Sequence, residues 1–428
     1  MRCSTSRRTT ASRFIGMSEP TSPASAPAPA PEPEAGNGGR RLLLGLAPLF
    51  LLGILVAVFV FADPASVLRA GFPPLEELTI ERVTLPEPGV LRIHVVNGGP
   101  EPVTVAQVMV DKAYWQHEID GERTIPRLGR ATIALNYPWV EGEPHEIVLV
   151  SSTGVTFAHE LEVATQTPRP STRFLGIFAL LGIYVGLVPV LIGLLWYPFL
   201  RDVSRRWLHF FLSLTIGLLV FLGVDALHEA LETAEVVPEA FQGVGLVVLG
   251  TLGSFLALRA LSGARRGRRG PGASDDATDR LRLAYLIALG IGLHNLGEGL
   301  AIGSAYALGE IALGSFLVVG FALHNTTEGL AIVAPVAADR PPLRHLLAMG
   351  AVAGLPTIGG TWIGGFSYSP IAATLFLAVG AGAVLEVVYE IAMMMRRQQP
   401  AGLFAPLNAT GLAVGMLVMY ATAVLVVA

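Results

Sequence analysis

Hydrophobic and polar positions follow three different patterns along this chain. Residues 1–39 are polar and of low complexity, first Ser, Thr and Arg and then a Pro-Ala run from Pro20 to Pro33. Such a segment cannot bury a core, so a disordered tail is expected. Met17 is an alternative start, because the residues after it read naturally as an N-terminus. Residues 42–62 then form an uncharged apolar run of 21 residues behind Arg40 and Arg41, long enough to span a hydrocarbon core about 30 Å thick. The run is too long and too far from the start for a signal-peptide core. Residues 40–62 are therefore expected to be an uncleaved transmembrane anchor.

Between 63 and 172 the period drops to two. Short alternating runs recur at Leu78–Thr84, Val90–Val96, Val103–Val110, Ala131–Asn136, Glu146–Ser151 and Val155–Val163, parted by turn signals such as Asn97-Gly98-Gly99-Pro100 and Asp120-Gly121. Several short strands at regular spacing predict a small β-sandwich, of immunoglobulin-like shape. From Phe174 onward the chain is almost continuously apolar. It reads as eight helices, at 174–200, 207–233, 239–260, 282–306, 311–337, 345–366, 370–395 and 404–428. The expected fold is an all-α polytopic bundle over 173–428, preceded by the anchor helix and the all-β domain over 63–172.

Composition agrees with this division. Charged residues make up 14% of the chain and hydrophobic ones 52%, with a mean hydropathy of +0.58, where soluble proteins carry roughly 25% charged residues. The net charge of −4 gives no basic footprint for nucleic acid. Cys3 is the lone cysteine, which excludes a disulfide framework or a thiolate metal cluster within one chain. Lys112 is the lone lysine, leaving none for Schiff-base chemistry in the bundle. The remaining basic residues are arginines, and they set an orientation. If the tail is cytoplasmic, the inner loops hold Arg201, Arg205 and Arg206, then Arg265, Arg266, Arg268 and Arg269, then Arg340 and Arg344, then Arg396 and Arg397. The short outer loops at 234–238, 307–310 and 367–369 hold no Lys or Arg. Every loop then obeys the positive-inside rule. This implies an inner (cell) membrane protein with a cytoplasmic N-terminus and with residues 63–172 and the C-terminus outside. The 63–172 segment holds 15 acidic and 8 basic residues, so it would draw cations toward the outer face.

The chemistry-bearing pattern is a repeat. The fourth bundle helix contains His294-Asn295-Leu296-Gly297-Glu298-Gly299-Leu300-Ala301-Ile302, and the fifth contains His324-Asn325-Thr326-Thr327-Glu328-Gly329-Leu330-Ala331-Ile332. In each copy His and Glu are four apart and share a helix face, with Asn one position round. Helix rise places His294 about 17 Å and His324 about 18 Å from their helix starts, near the bilayer midplane. The two helices run antiparallel, so the two polar faces can meet. Buried carboxylates there are costly unless paired or bound to metal. Two imidazoles, two carboxylates and two amide oxygens suit a borderline divalent ion such as Zn²⁺, with Fe²⁺ and Mn²⁺ as the other candidates. The plain alternative is a His–Glu hydrogen bond within each helix that helps packing.

With these motifs the sequence resembles the ZIP family of divalent metal-ion transporters, in particular its GufA-like branch. The resemblance covers about 174–428 and leaves out the anchor and the sandwich. It implies transport of zinc and related ions toward the cytosol through a site between the fourth and fifth bundle helices. It also implies His294, Asn295, Glu298, His324, Asn325 and Glu328 as metal ligands. The branch usually has a Glu before a Pro in the sixth bundle helix, where this chain reads Gly354-Leu355-Pro356; this puts a two-metal site in question. Glu386 is a candidate substitute, and Glu390 matches the family's usual carboxylate in the seventh helix. A Glu introduced at 355 would then restore a second ion.

Further polar positions outline a route. Asp225, His228, Glu229 and Glu232 would form an outer vestibule, and Glu386 and Glu390 would line the exit. The imagined motion rocks the first three and last three helices about the fourth and fifth. His94, His117, His145 and His159 in the sandwich read as solvated surface residues, since neighbouring side chains in a strand point to opposite faces and chelate poorly. A metal hydrolase is disfavoured, because Asn, not Glu, follows each bundle histidine. The remaining alternative is a metal-binding sensor or receptor of the same fold that has lost transport. A homodimer and an unidentified partner for the β-domain both stay open.

Overall fold

The structure, a computed structural model, describes residues 38–62, 75–267, 276–398 and 404–427. Residues 1–37 of the expected disordered tail, with Met17, lie outside the described residues, and Gly38 and Gly39 open a helix. Helix α1 covers Gly38–Ala62, the segment read as an anchor. It belongs to a unit that ends at Pro73, and the sheets and the remaining helices form a second unit, Pro74–Ala428.

Nine strands lie among the described residues: β1 (Leu78–Glu87), β2 (Val90–Asn97), β3 (Val103–Val110), β4 (Ala113–Trp115), β5 (His117–Asp120), β6 (Thr124–Ile125), β7 (Arg130–Asn136), β8 (His145–Ser151) and β9 (Thr156–Leu161). One antiparallel sheet has the order β1-β2-β7-β5, the other β4-β3-β8-β9 with β6 beside β3. With β3 taken as strand C, this is the A-B-E-D against C-F-G order of immunoglobulin-type sandwiches. The period-two pattern explains the core. Leu91, Ile93 and Val95 of β2, Ile133 and Leu135 of β7, Val108 and Val110 of β3, and Ile147 and Leu149 of β8 pack together. Fully burying each such side chain is worth about 1.5–3 kcal/mol.

The six runs read from the sequence correspond to β1, β2, β3, β7, β8 and β9. Strands β4 to β6 escaped that reading because they are only two to four residues long. The β3–β4 connection is a two-residue turn with positive φ at Asp111 (52°) and Lys112 (66°), the geometry usually given to Asn-Gly. The Asp111 carboxylate fixes it, accepting from Tyr137 Oη (2.7 Å) and the Glu146 N–H (3.0 Å) and lying 2.8 Å from His145 Nδ1. Burial would raise the Asp111 pKa, but these hydrogen bonds outweigh it and hold the group below its ordinary value.

Two sandwich histidines, His94 and His145, are not the solvated surface groups expected. His145 is buried, and His94 sits between the Thr84 and Thr132 hydroxyls at 3.1 and 3.2 Å. Burial, then the charges of Arg82 and Arg92, push the His94 pKa down from 6.5 to about 4. The unfolded chain takes up this proton at about 6.5. The stability His94 contributes is therefore complete above 6.5 and lost as pH falls toward 4. We predict an NMR titration midpoint for His94 near 4. A midpoint at the ordinary histidine value would contradict this.

Among the described residues, eight helices are long and apolar enough to cross a membrane. They are α2 (Thr172–Leu200), α3 (Arg205–Glu235), α4 (Gly243–Gly267), α5 (Asp276–Leu308), α6 (Ile311–Val333, extended as a 3-10 helix to Asp339), α7 (Leu343–Ser367), α8 (Pro370–Gln398) and α9 (Pro406–Val427). The length and composition are those of a multi-pass membrane protein. The sandwich meets the bundle end that carries the α3–α4 and α5–α6 turns. The Glu239 N–H donates to Glu77 Oε1 (3.2 Å), and Gly309 lies against Thr165 and Val163.

Glycines decide which helices share an interface, because a missing Cβ lets backbones touch. A Cβ on Gly299 would meet Thr357 O at 2.2 Å, and one on Gly329 would meet Val190 O at 2.3 Å. Thus α5 packs on α7, and α6 on α2. Likewise a Cβ on Gly217 would meet Leu412 O at 2.1 Å, and one on Gly382 would meet Thr251 O at 2.0 Å, joining α3 to α9 and α4 to α8. The helices fall into two groups, α2, α5, α6, α7 and α3, α4, α8, α9, which meet where α8 packs on α5 (a Cβ on Gly380 would lie 2.9 Å from His294 Cα). This differs from the imagined split, which placed α2 and α7 in the moving frame around α5 and α6.

Candidate metal centre

Each copy of the repeat supplies its His, Asn and Glu from a buried helix face. All six residues are at most 8% exposed. His294 Nε2 lies 3.1 Å from Glu298 Oε1, and His324 Nε2 contacts the same oxygen. Among the described residues, His294, Glu298 and His324 bring their ligand atoms within 4.8 Å of one another. The intrahelical His–Glu pair expected of a packing role therefore exists in the first copy, but its carboxylate is shared across helices.

The asparagines cross-brace the carboxylates. Asn325 Nδ2 donates to Glu298 Oε2 (3.1 Å), and Asn295 Nδ2 donates to Glu328 Oε2 (3.2 Å). Each Asn also donates to a backbone carbonyl on a flanking helix: Val185 O of α2 (3.0 Å) and Ala353 O of α7 (3.2 Å). Prolines help to open these helices. Pro189 has no N–H for the carbonyl of Val185 four residues back, and Ile183–Leu187 forms a π-turn there. Pro356 lies inside the continuous α7 and deprives the carbonyl of Val352, the neighbour of Ala353, of its helical donor. Sequence reading named the asparagines but not their carbonyl partners; Pro189 was the available signal for Val185.

Among the described residues, three buried oxygens in this cluster find no hydrogen-bond donor: Asn295 Oδ1, Asn325 Oδ1 and Glu328 Oε1. A buried acceptor without a donor costs roughly 1–3 kcal/mol. With two imidazoles and two carboxylates beside them, such oxygens suit a divalent cation and do not suit an anion or an apolar ligand.

The outlying residues fall into two places. Asp225 is exposed and Glu229 half-buried on α3. His228 pairs with Glu232 at 3.2 Å, both well exposed. Glu386 and Glu390 are buried on α8, but they stand apart from the histidine group. Arg259 Nη1 of α4 is 3.9 Å from Glu386 Oε1 and 2.8 Å from Glu390 Oε2. Arg259 was missed in the sequence, although it is a charge inside the apolar stretch Phe255-Leu256-Ala257-Leu258 to Ala260-Leu261. Leu355 is 47% exposed, so a Glu there would replace an exposed side chain and not a buried member of the cluster.

A scan against known protein families finds no matching family, and no curated protein matches the chain.

Proposed function

We propose that the bundle transports divalent transition-metal ions, zinc foremost with iron and manganese as alternatives, as a ZIP-like carrier. The observation that carries this reading is the set of donor-less buried oxygens around two imidazoles and two carboxylates. The cation is the substrate. His294, His324, Glu298 and Glu328 would bind it, with Asn295 and Asn325 supplying amide oxygens. Two carboxylates against neutral imidazoles leave a charge that a divalent ion cancels, which offsets desolvation. Asp225 and Glu229 would raise the local cation concentration at the outer approach.

Transport would be alternating access, with α2, α5, α6 and α7 shifting against α3, α4, α8 and α9. The arginine-bearing loops support an orientation with the sandwich outside, and movement toward the cytosol is what the ZIP resemblance implies. The reading assigns no bond-breaking chemistry to the site, since no carboxylate follows either histidine. It leaves the sandwich as an extracytoplasmic module with an unidentified partner.

Zinc uptake into proteoliposomes tests it. Wild type should accumulate zinc, and a variant with both His294→Ala and Glu328→Ala should fall to the rate of protein-free vesicles. Folded wild type that binds zinc tightly without uptake would overturn transport and favour the sensor reading.

A further inference from the structure

We propose that Arg259 is a tethered cation that occupies the carboxylates Glu386 and Glu390 and keeps them from acting as a second metal station. The inference rests on the transport reading and adds a determinant of how many ions the path holds.

The geometry begins at Gly380, where a Cβ would meet His294 Cα at 2.9 Å. That contact fixes the level of the histidine group on α8. Glu386 and Glu390 lie six and ten residues further along α8, or about 9 and 15 Å by helix rise. They lie toward the end that carries Arg396 and Arg397. A cation leaving along α8 in this direction would meet these carboxylates next.

Both carboxylates are buried, Glu386 completely. Two buried anions one helical turn apart demand a compensating cation. Arg259 meets this demand from the neighbouring helix, at 2.8 Å from Glu390 and 3.9 Å from Glu386. It also stacks over the Tyr389 ring, 4.4 Å from the centroid. The charge therefore has three attractive partners on α8, Glu386, Glu390 and Tyr389. Because the guanidinium is part of the chain, its local concentration is fixed, and a free ion must displace it to bind. Leu355 removes one route to a second ion; Arg259 closes the route through Glu386 that the sequence left open.

Elemental analysis of purified full-length protein after zinc loading tests this. Glu390→Gln should bind as many zinc ions per chain as wild type. Arg259→Gln should gain one, Arg259→Lys should not, and Arg259→Gln with Glu390→Gln should return to the wild-type number. Loss of a zinc ion in Glu390→Gln, or a wild-type number in folded Arg259→Gln, would overturn the proposal. If Arg259→Gln does not fold, Glu390→Gln decides alone, since Arg259 there keeps Glu386 as a partner. The transport reading fails separately: wild type binding no zinc would sink the midplane site, yet Arg259→Gln would still be expected to gain one ion.

Discussion

Replacing Glu298 by glutamine should lower zinc affinity by at least about 100-fold while the protein still folds. Changes to groups that merely orient metal ligands cost about 10–100-fold, and Glu298 is more central than that. Its Oε1 meets both imidazoles, and its Oε2 accepts from Asn325. Glutamine keeps the shape but removes the charge that a divalent ion must find in a low-dielectric setting. It also turns an NH₂ group toward Asn325 Nδ2 or the histidines, so a donor faces a donor or blocks a ligand nitrogen. Competition titration against a zinc chelator measures the effect. An affinity within threefold of wild type would remove Glu298 from the centre of the site.

Replacing Gly329 by valine should destabilise the bundle by about 3 kcal/mol, the upper end of ordinary overpacking costs. A Cβ at 329 would meet Val190 O at 2.3 Å and Gly193 Cα at 2.6 Å. Both are backbone atoms, so no side-chain rotation relieves the clash, and valine adds two methyl groups. The only relief is to move α6 off α2. That movement shifts Glu328, the preceding residue, and breaks the Asn325 bond to Val185 O. Stability and zinc binding should therefore fall together. A thermal scan by fluorescence-detected size exclusion reads the first, and zinc titration the second. A folded Gly329→Val protein with the wild-type melting temperature would show that this interface is looser than its geometry.

The parts of the molecule that were legible in the sequence are those governed by periodicity. Long apolar runs located all eight bundle helices, with ends off by up to seven residues, since about 20 apolar residues in a row have few other solutions. Alternation gave six strands with inward residues such as Ile93 and Leu149. The His-Asn…Glu repeat marked two faces that the fold brings to one cluster. What escaped depends on contacts between elements. The short strands β4 to β6 are held by pairing with longer neighbours and by Asp111, which no local pattern encodes. His145 is buried because Asp111 and Tyr137 receive it, although an adjacent Glu146 suggested a surface. Glu386 was legible as a charge at depth, but its direction was not; only the packing of α4 on α8 puts Arg259 against it. The division of helices likewise comes from glycine contacts such as Gly193 with Gly329, which a single helix does not reveal.

The central claim is that one divalent ion sits among the two copies of the repeat. Zinc K-edge X-ray absorption on zinc-loaded full-length protein tests it most directly. The account predicts a first shell of nitrogen and oxygen only, with the outer-shell scattering of two imidazoles, and loss of that signal in Glu298→Gln. A sulfur-containing shell, a shell without imidazole, or an unchanged spectrum in Glu298→Gln would contradict it.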